Sequence, residues 1–400
     1  MKLRSVCTIA LLLFVGCDDA DSGTDAGGAD AATADAATVG DSGTGGEDAG
    51  TSGPVVRSHP CPGINRTDAF WVDEDGTMWL GCGSGTEGDG LFVSSDDGQS
   101  WAIPDTSPAN VLNSFRVLSI HRGFDDLVYV AGEGPNDAMV ISLDTSATPF
   151  AAEAVLTRGT TVGRSFLASP FLTTPSGAAL ADSFTGNDLL YRPTSDIGDD
   201  ANDWVDAGDW ETEGSYQLLD AVNVGETFVG CGSTIAQPPI VALSTAATDD
   251  EPWRMTPVVL VEGLGSYTGE MWGVAADETR VVAVGVDQDN DIGKIFVSGA
   301  DRFDAADYTQ IDVDPLVAAV DGSDSTWSRG VCLQGDRVVV VGEVQPLGAG
   351  DNTGFVLEST DGGVTFTDIT PAGSPNTWSK CRITGSGDLR VAGAGAVAVF

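Results

Sequence analysis

Seven recurrences of one short β-rich run, turn residues between the runs, and the lack of any 3.6-residue apolar period predict an all-β chain. The specific expectation is a single seven-bladed β-propeller of four-stranded antiparallel blades. The run closes near a glycine or alanine: Thr77–Gly81, Leu127–Gly132, Gly177–Ala181, Thr227–Gly230, Val281–Gly285, Val338–Gly342 and Leu389–Gly393, roughly fifty residues apart. Another β-rich stretch precedes each run. A third follows most of them, starting at Leu91, Ala138, Asp188, Ile240, Lys294 and Gly354. Asp75-Gly76 and Asp361-Gly362 supply the turns that hairpins need. The last unit, Thr377 to Phe400, holds only three strands, and open edges would invite unwanted pairing. Pro54-Val-Val-Arg-Ser58 is therefore expected to return as its fourth strand.

Residues 1–16 read as a signal peptide: Lys2 and Arg4, then an apolar run from Val6 to Val15, then Gly16. That run is too short to span a bilayer, which takes roughly 20 residues. The stretch Phe14-Val15-Gly16-Cys17 resembles the lipobox of bacterial lipoproteins. The resemblance implies acylation of Cys17 and a lipid-anchored cell-envelope location, at the outer membrane or cell surface rather than the inner membrane. Residues 17–53 are Asp, Ala, Gly, Thr and Ser with no aromatic or basic residue, a composition that cannot offset its own ordering entropy. This segment is expected to be a disordered tether reaching about 30–35 Å. Residues 54–400 are expected to form the propeller.

A net charge of −42 with only three lysines removes nucleic acid as a partner, because phosphate recognition needs a basic face. The membrane is expected as a partner only through the lipid. Two histidines, His59 and His121, leave almost no material for a His-based zinc site or catalytic triad. Without Cys7 and Cys17, five cysteines remain, so in an oxidising compartment one is left over. Cys332 with Cys381, on first strands of neighbouring units, and Cys61 with Cys82, at ends of the first unit, are conceivable pairs. Cys82 and Cys231 stand three units apart and cannot pair.

Two units carry a further motif. Ser94-Ser-Asp96-Asp-Gly98-Gln-Ser100-Trp101 and Ser359-Thr-Asp361-Gly-Gly363-Val-Thr365-Phe366 fit S-x-D-x-G-x-[ST]-[WF]. Carboxylate and hydroxyls can satisfy backbone donors in a tight hairpin, glycine takes the positive-φ position, and the aromatic packs into the sheet. The motif resembles the Asp-box, or BNR repeat, of sialidase-like and photosystem-assembly-factor-like propellers. Ser142-Leu-Asp144 leading to Phe150 looks like a decayed copy. In that family the box is a folding device away from the active site, so it implies no chemistry. The Arg-Ile-Pro string of true sialidases has no good counterpart; Arg57-Ser-His-Pro60 is the nearest. No catalytic residue is assigned.

The first strand of each unit is expected to start with an aromatic: Trp71, Phe115, Phe166, Tyr216, Trp272, Trp327 and Trp378. Scarce cations cluster there, at Arg116, Arg164, Arg329 and Lys380. Either these residues are repeat packing and charge balance, or they line a channel mouth where rings stack on a sugar or peptide and cations hold a carboxylate. The candidate face is Trp272, Trp327, Trp378, Arg164, Arg329 and Lys380. Asp287, Asp289 and Asp291 imitate the start of a calcium loop, although Ser298 stands where the bidentate Glu belongs, so an acidic hairpin tip competes with calcium. No other cofactor is implied, and a monomer is expected. The functional expectation is a non-enzymatic binding or scaffold module for a protein or glycan, with a glycan-cleaving, sialidase-like hydrolase or an envelope assembly factor as alternatives.

Overall fold

The computed structural model describes residues 53–400, except 62–68, 85–86, 110, 113–114, 134–136, 160–167, 178, 184–188, 193–204, 207–215, 235–236, 246–253, 261–268, 319, 321–323 and 347–349. Cys17, the tether, Arg164 and Phe166 lie outside the described residues.

The described residues hold seven sheets and, apart from two 3₁₀ turns, no helix. Strand β1 (Val55–Ser58) comes first, followed by β2 (Ala69–Val72), β3 (Met78–Ser84) and β4 (Glu87–Ser94), which form a three-stranded sheet. Next come β5 (Thr106–Ser107), β6 (Arg116–Arg122), β7 (Val128–Glu133), β8 (Asp137–Asp144) and β9 (Phe150–Gly159), in sheet order β5-β9-β8-β7-β6. The third sheet is β10 (Ala168–Thr173), β11 (Ala179–Ser183), β12 (Leu189–Arg192) and β13 (Val205–Asp206). The fourth is β14 (Tyr216–Val224), β15 (Thr227–Thr234), β16 (Gln237–Thr245) and β17 (Arg254–Val259). The fifth is β18 (Gly269–Ala276), β19 (Val281–Asp287), β20 (Ile292–Ser298) and β21 (Tyr308–Asp312). The sixth is β22 (Ser325–Gln334), β23 (Arg337–Gln345), β24 (Thr353–Ser359) and β25 (Thr367–Asp368). The seventh contains β26 (Trp378–Ile383), β27 (Leu389–Gly393) and β28 (Ala396–Val399), and β1 pairs antiparallel with β28, Val55 opposite Val399.

Two sheets depart from the four-stranded antiparallel expectation. After β4 the chain makes only a single bridge, Val93 with Ala102, so the first sheet stops at three strands. The chain then runs on as β5, parallel to β9 at the rim of the next sheet, where the Phe150 N–H donates to the Asp105 carbonyl at 2.9 Å.

The first strands of consecutive sheets pack side by side: β2 on β6, β6 on β10, β10 on β14, β14 on β18, β18 on β22, β22 on β26, and β26 back on β2. Apolar cores fill the gaps between sheets. One joins Val282, Val284 and Ile295 to Val338, Val340 and Phe355; another joins Met78 and Leu80 to Ala392 and Val397. Covered on both faces, the second strands read as unbroken apolar runs rather than alternating ones; all seven residues of β19 are buried. Each fully buried Val or Leu contributes roughly 1.5–3 kcal/mol.

The recurrent glycine has a mechanical cause. Strands β6, β14, β18, β22 and β26 each carry a β-bulge, at Leu118, Leu219, Trp272, Arg329 and Ser379. The residue just before the bulge pairs with Gly132, Gly232, Gly285, Gly342 and Gly393 respectively. In the fourth unit the equivalent residue is thus Gly232, not the Gly230 that ends the sequence run. A bulge bends its strand and re-aims the backbone. A Cβ at Gly132, Gly285, Gly342 or Gly393 would overlap the carbonyl oxygen two residues before the bulge, at Arg116, Glu270, Trp327 or Thr377. No bulge interrupts the β2–β3 pairing, and a Cβ at Gly81 meets side chains of Val117 and Ala69 instead.

Cys61 is bonded to Cys82, and Cys332 to Cys381 across neighbouring sheets, with Cα separations of 5.4 and 5.7 Å. Cys231 is the odd thiol, buried beside the Met271 carbonyl, and burial raises its pKa.

The two S-x-D-x-G loops share one hydrogen-bond pattern. Ser94 Oγ donates to Asp96 and accepts from the Gly98 N–H at 2.9 Å, while Asp96 accepts from the Ser100 N–H and hydroxyl at 2.9 and 2.6 Å. Ser359, Asp361, Gly363 and Thr365 repeat those bonds. Gly98 and Gly363 have φ of 79° and 91°, where L side chains are strained. Each loop leans on the preceding sheet. Arg57 donates to the Asp97 carbonyl at 2.7 Å and Arg390 pairs with the Asp97 carboxylate at 2.8 Å, while Gly363 abuts Val297 and Gly362 abuts Arg280. Trp101 packs against the core between the seventh and first sheets, and Phe366 against the core between the fifth and sixth. The decayed copy behaves differently: Ser142 turns to the Glu153 carbonyl, and Asp144 serves Ser146.

Hydroxyl donation from Ser100 and Thr365 first, then backbone N–H groups, hold the Asp96 and Asp361 carboxyls at about 2. The unfolded value is about 3.9, so this contribution to stability is complete above roughly pH 4 and fades as pH falls towards 2. An Asp361→Asn variant is therefore expected to melt below wild type at pH 7, with the gap closing between pH 4 and 2. A gap that stays constant across that range would refute the assignment.

Candidate functional site: the central cavity

A cavity of about 730 Å³ is lined by residues of all seven first strands. The bulges help to build it: Leu118, Leu219, Trp272, Arg329 and Ser379 all line it. The described lining contains five cations (Arg116, Arg122, Arg329, Lys380, Arg382) and three acids (Asp73, Glu74, Asp220). Five minus three leaves +2, in a chain whose net charge is −42. The charge of this wall is opposite to that of the whole molecule.

Three groupings are stacked down the cavity. Near the strand starts, the Arg329 guanidinium lies between the rings of Trp272 and Trp327, 4.6 and 4.7 Å from their centroids. Glu343 holds it at 2.5 Å and also accepts from Thr377, Gln345 and Asn352. Burial pushes the Glu343 carboxyl up, but Arg329 and these donors outweigh it and leave the pKa lowered. At mid-level, Lys380 of β26 reaches Asp220 of β14, three sheets away, at 3.6 Å, and Asp220 also accepts from the Val274 N–H. This pair bars the cavity from side to side.

Near the strand ends, Asp73 accepts from four donors: Trp71 Nε1 at 3.0 Å, Trp79 Nε1 at 2.8 Å, and Arg122 Nε and Nη2 at 2.6 and 2.5 Å. The hydrogen bonds that Arg122 donates to Asp73 raise the Arg122 pKa. Arg382 lies over the Trp71 ring at 3.7 Å, and the His121 ring meets the same indole edge-on at 5.6 Å. Burial, and then the Arg382 charge, lower the His121 pKa to about 3, so this imidazole is neutral at any physiological pH.

Of the candidate face, Trp272, Arg329 and Lys380 line the cavity, and Trp327 backs Arg329. Trp378 does not belong there. It is fully buried between sheets, its Nε1 donating to Ser374, because it sits one residue before the bulge and faces the core. The expected ring of aromatics is likewise not a ring: Phe115 is core, Trp71 and Trp272 line the cavity, and the positions are not in register. Asp287, Asp289 and Asp291 do not converge. Asp287 is buried, caps the turn through the Asp289 and Asn290 N–H groups, and lies 3.7 Å from Lys294. Among the described residues no three His, Cys, Asp or Glu side chains gather as a metal site would need.

Asp73, His121, Arg122 and Arg382 were not expected here. Their signal was slight: Asp73 directly follows the apolar strand Ala69–Val72, and His121, Arg122 and Arg382 lie towards the ends of first strands that already mix polar and apolar residues.

No protein-family profile matches the chain, and no curated protein matches it. Solved structures do. Virginiamycin B lyase from Staphylococcus aureus, with quinupristin, has a TM-score of 0.52 at 9% identity, covering 86% of this chain and 98% of that one. YCF48 bound to D1 peptide has a TM-score of 0.54 at 13% identity, covering 87% and 95%. The WD40 β-propeller domain of Doa1 has a TM-score of 0.52 at 11% identity, covering 86% and 94%. At such identities the likeness carries the fold alone. The fold is that of a β-propeller.

Proposed function

We propose that this chain is a lipid-anchored cell-envelope propeller that acts as a non-enzymatic binding or scaffold module for a protein or glycan, with the ligand entering the central cavity. The observation that carries this reading is the inverted charge of the cavity wall, which concentrates cations where a carboxylate-bearing ligand would sit. Seven sheets whose first strands pack in a closed order, with β1 completing the seventh, support a seven-bladed ring. The paired loops at Asp96 and Asp361 support their reading as Asp-boxes, and Phe14-Val15-Gly16-Cys17 supports acylation of Cys17. A propeller bound to a peptide, as in YCF48, fits a protein ligand. A glycosidase of sialidase type would gather arginines beside a tyrosine and a carboxylate. Among the described lining there is no tyrosine, and Arg329 and Arg382 occupy different levels, so the hydrolase reading is the weaker one.

The test is a glycan array together with pull-down from envelope extracts, using wild type and a Lys380→Ala variant that opens the bar across the cavity. A specific ligand whose capture changes in the variant is expected. Turnover of a glycan, or capture indifferent to Lys380, would overturn the reading. Cys17→Ser is expected to move the protein from the membrane fraction to the soluble one.

A further inference from the structure

We propose that Arg382, laid on the Trp71 indole near the strand ends, is the anchor for the carboxylate of a small ligand in the central cavity. This rests on the cavity being the binding site. Three other lining cations already have acids: Arg122 has Asp73, Arg329 has Glu343 and Lys380 has Asp220. The Arg382 guanidinium makes no hydrogen bond or ion pair with the described residues; it lies over the Trp71 ring at 3.7 Å. The nearby acids are committed elsewhere. Asp73 serves four donors, and Glu74 accepts the Gly385 N–H at 2.6 Å. His121, held neutral, adds no competing charge.

A half-buried guanidinium without a paired anion carries a desolvation cost, and here that desolvation lowers its pKa against the pull of Glu74 and Asp73. An incoming anion removes that cost. The guanidinium is a planar fork resting over the Trp71 ring, so the matching group is a planar carboxylate held through two parallel N–H bonds. The cavity, about 730 Å³, has the size of a small-molecule site. The same carboxylate chemistry could come from an acidic sugar or from an amino-acid derivative.

The experiment uses the full chain in detergent and two acid–neutral pairs: galacturonic acid against galactose, and N-acetylalanine against N-acetylalaninamide. Calorimetry is expected to show at least one acid bound about tenfold or more tightly than its neutral partner. Arg382→Gln should abolish that difference, while Arg382→Lys, which keeps charge without the fork, should restore part of it. Without ligand, Arg382→Gln should melt no lower than wild type, which also shows that the variant folds. Preference for the sugar acid, or for N-acetylalanine, identifies the source. If Arg382→Gln binds an acid as tightly as wild type, the anchor is wrong and the cavity reading stands. If wild type binds neither acid over its neutral partner, the anchor is also wrong, and the array and pull-down decide the cavity separately.

Discussion

Replacing Gly285 with alanine is expected to destabilise the chain by about 3 kcal/mol, at the upper end for an overpacked interior. The new Cβ would fall on the Glu270 carbonyl oxygen, with the Met271 side chain close behind. That carbonyl stands two residues before the bulge at Trp272, and just after the bulge Gly273 runs so close to Gly330 that a Cβ there would meet its backbone. Backbone cannot swing away as a flexible side chain would, so the strain spreads to the neighbouring sheet. The same loss is expected at Gly132, Gly342 and Gly393, which face equivalent carbonyls. Gly225 is the control: it has φ of 57° in a turn with nothing within 4 Å, so Gly225→Asn should cost no more than about 1 kcal/mol. Urea denaturation of the two variants decides it, and equal midpoints would refute the bulge mechanism.

Glu343→Ala should cost about 3–5 kcal/mol, the range for removing one partner of a buried ion pair. Glu343 is 4% exposed and is the shared acceptor for Arg329, Thr377, Gln345 and Asn352. Its loss strands the guanidinium between Trp272 and Trp327 and leaves Thr377 without its acceptor. Glu343→Gln, which keeps an acceptor but no charge, should fall between. The pH dependence has a defined sign: the native carboxyl titrates below its ordinary value, so its contribution is present above about pH 4.5 and is lost as pH falls through the lowered native value. Thermal melts from pH 7 to pH 3 should therefore converge for wild type and Glu343→Gln. Parallel curves would show that Glu343 is not the group responsible.

Much of the fold was legible because backbone requirements leave local traces. Val281–Gly285 and Val338–Gly342 are unbroken apolar runs because both faces are covered, and they end in glycine because the Glu270 or Trp327 carbonyl, two residues before a bulge, leaves no room for a Cβ. The loops at Asp96 and Asp361 are equally local, since every bond that shapes them lies within a few residues. The site was less legible. Trp272, Arg329 and Lys380 were found through their position on first strands, whereas Trp378 was misplaced by a single residue of bulge. A bulge shifts which side chains face the axis, and nothing in the apolar pattern announces it.

The amino-acid order by itself determined the all-β class, the repeat of about fifty residues, the return of Val55–Ser58 beside β28, and the two loops that clip one sheet to the next. The class, the repeat and the loop conformations depend on periodicity and on contacts between near neighbours in the chain, and the return of Val55–Ser58 follows from a last unit one strand short. Only the tertiary structure decided which charges meet. Asp220 and Lys380 are 160 residues apart and pair across the cavity, and Trp71 comes under Arg382 only when the seventh sheet closes on the first. Charge balance is a property of three-dimensional neighbourhood. The composition, at −42, gave no sign that the innermost wall would be positive.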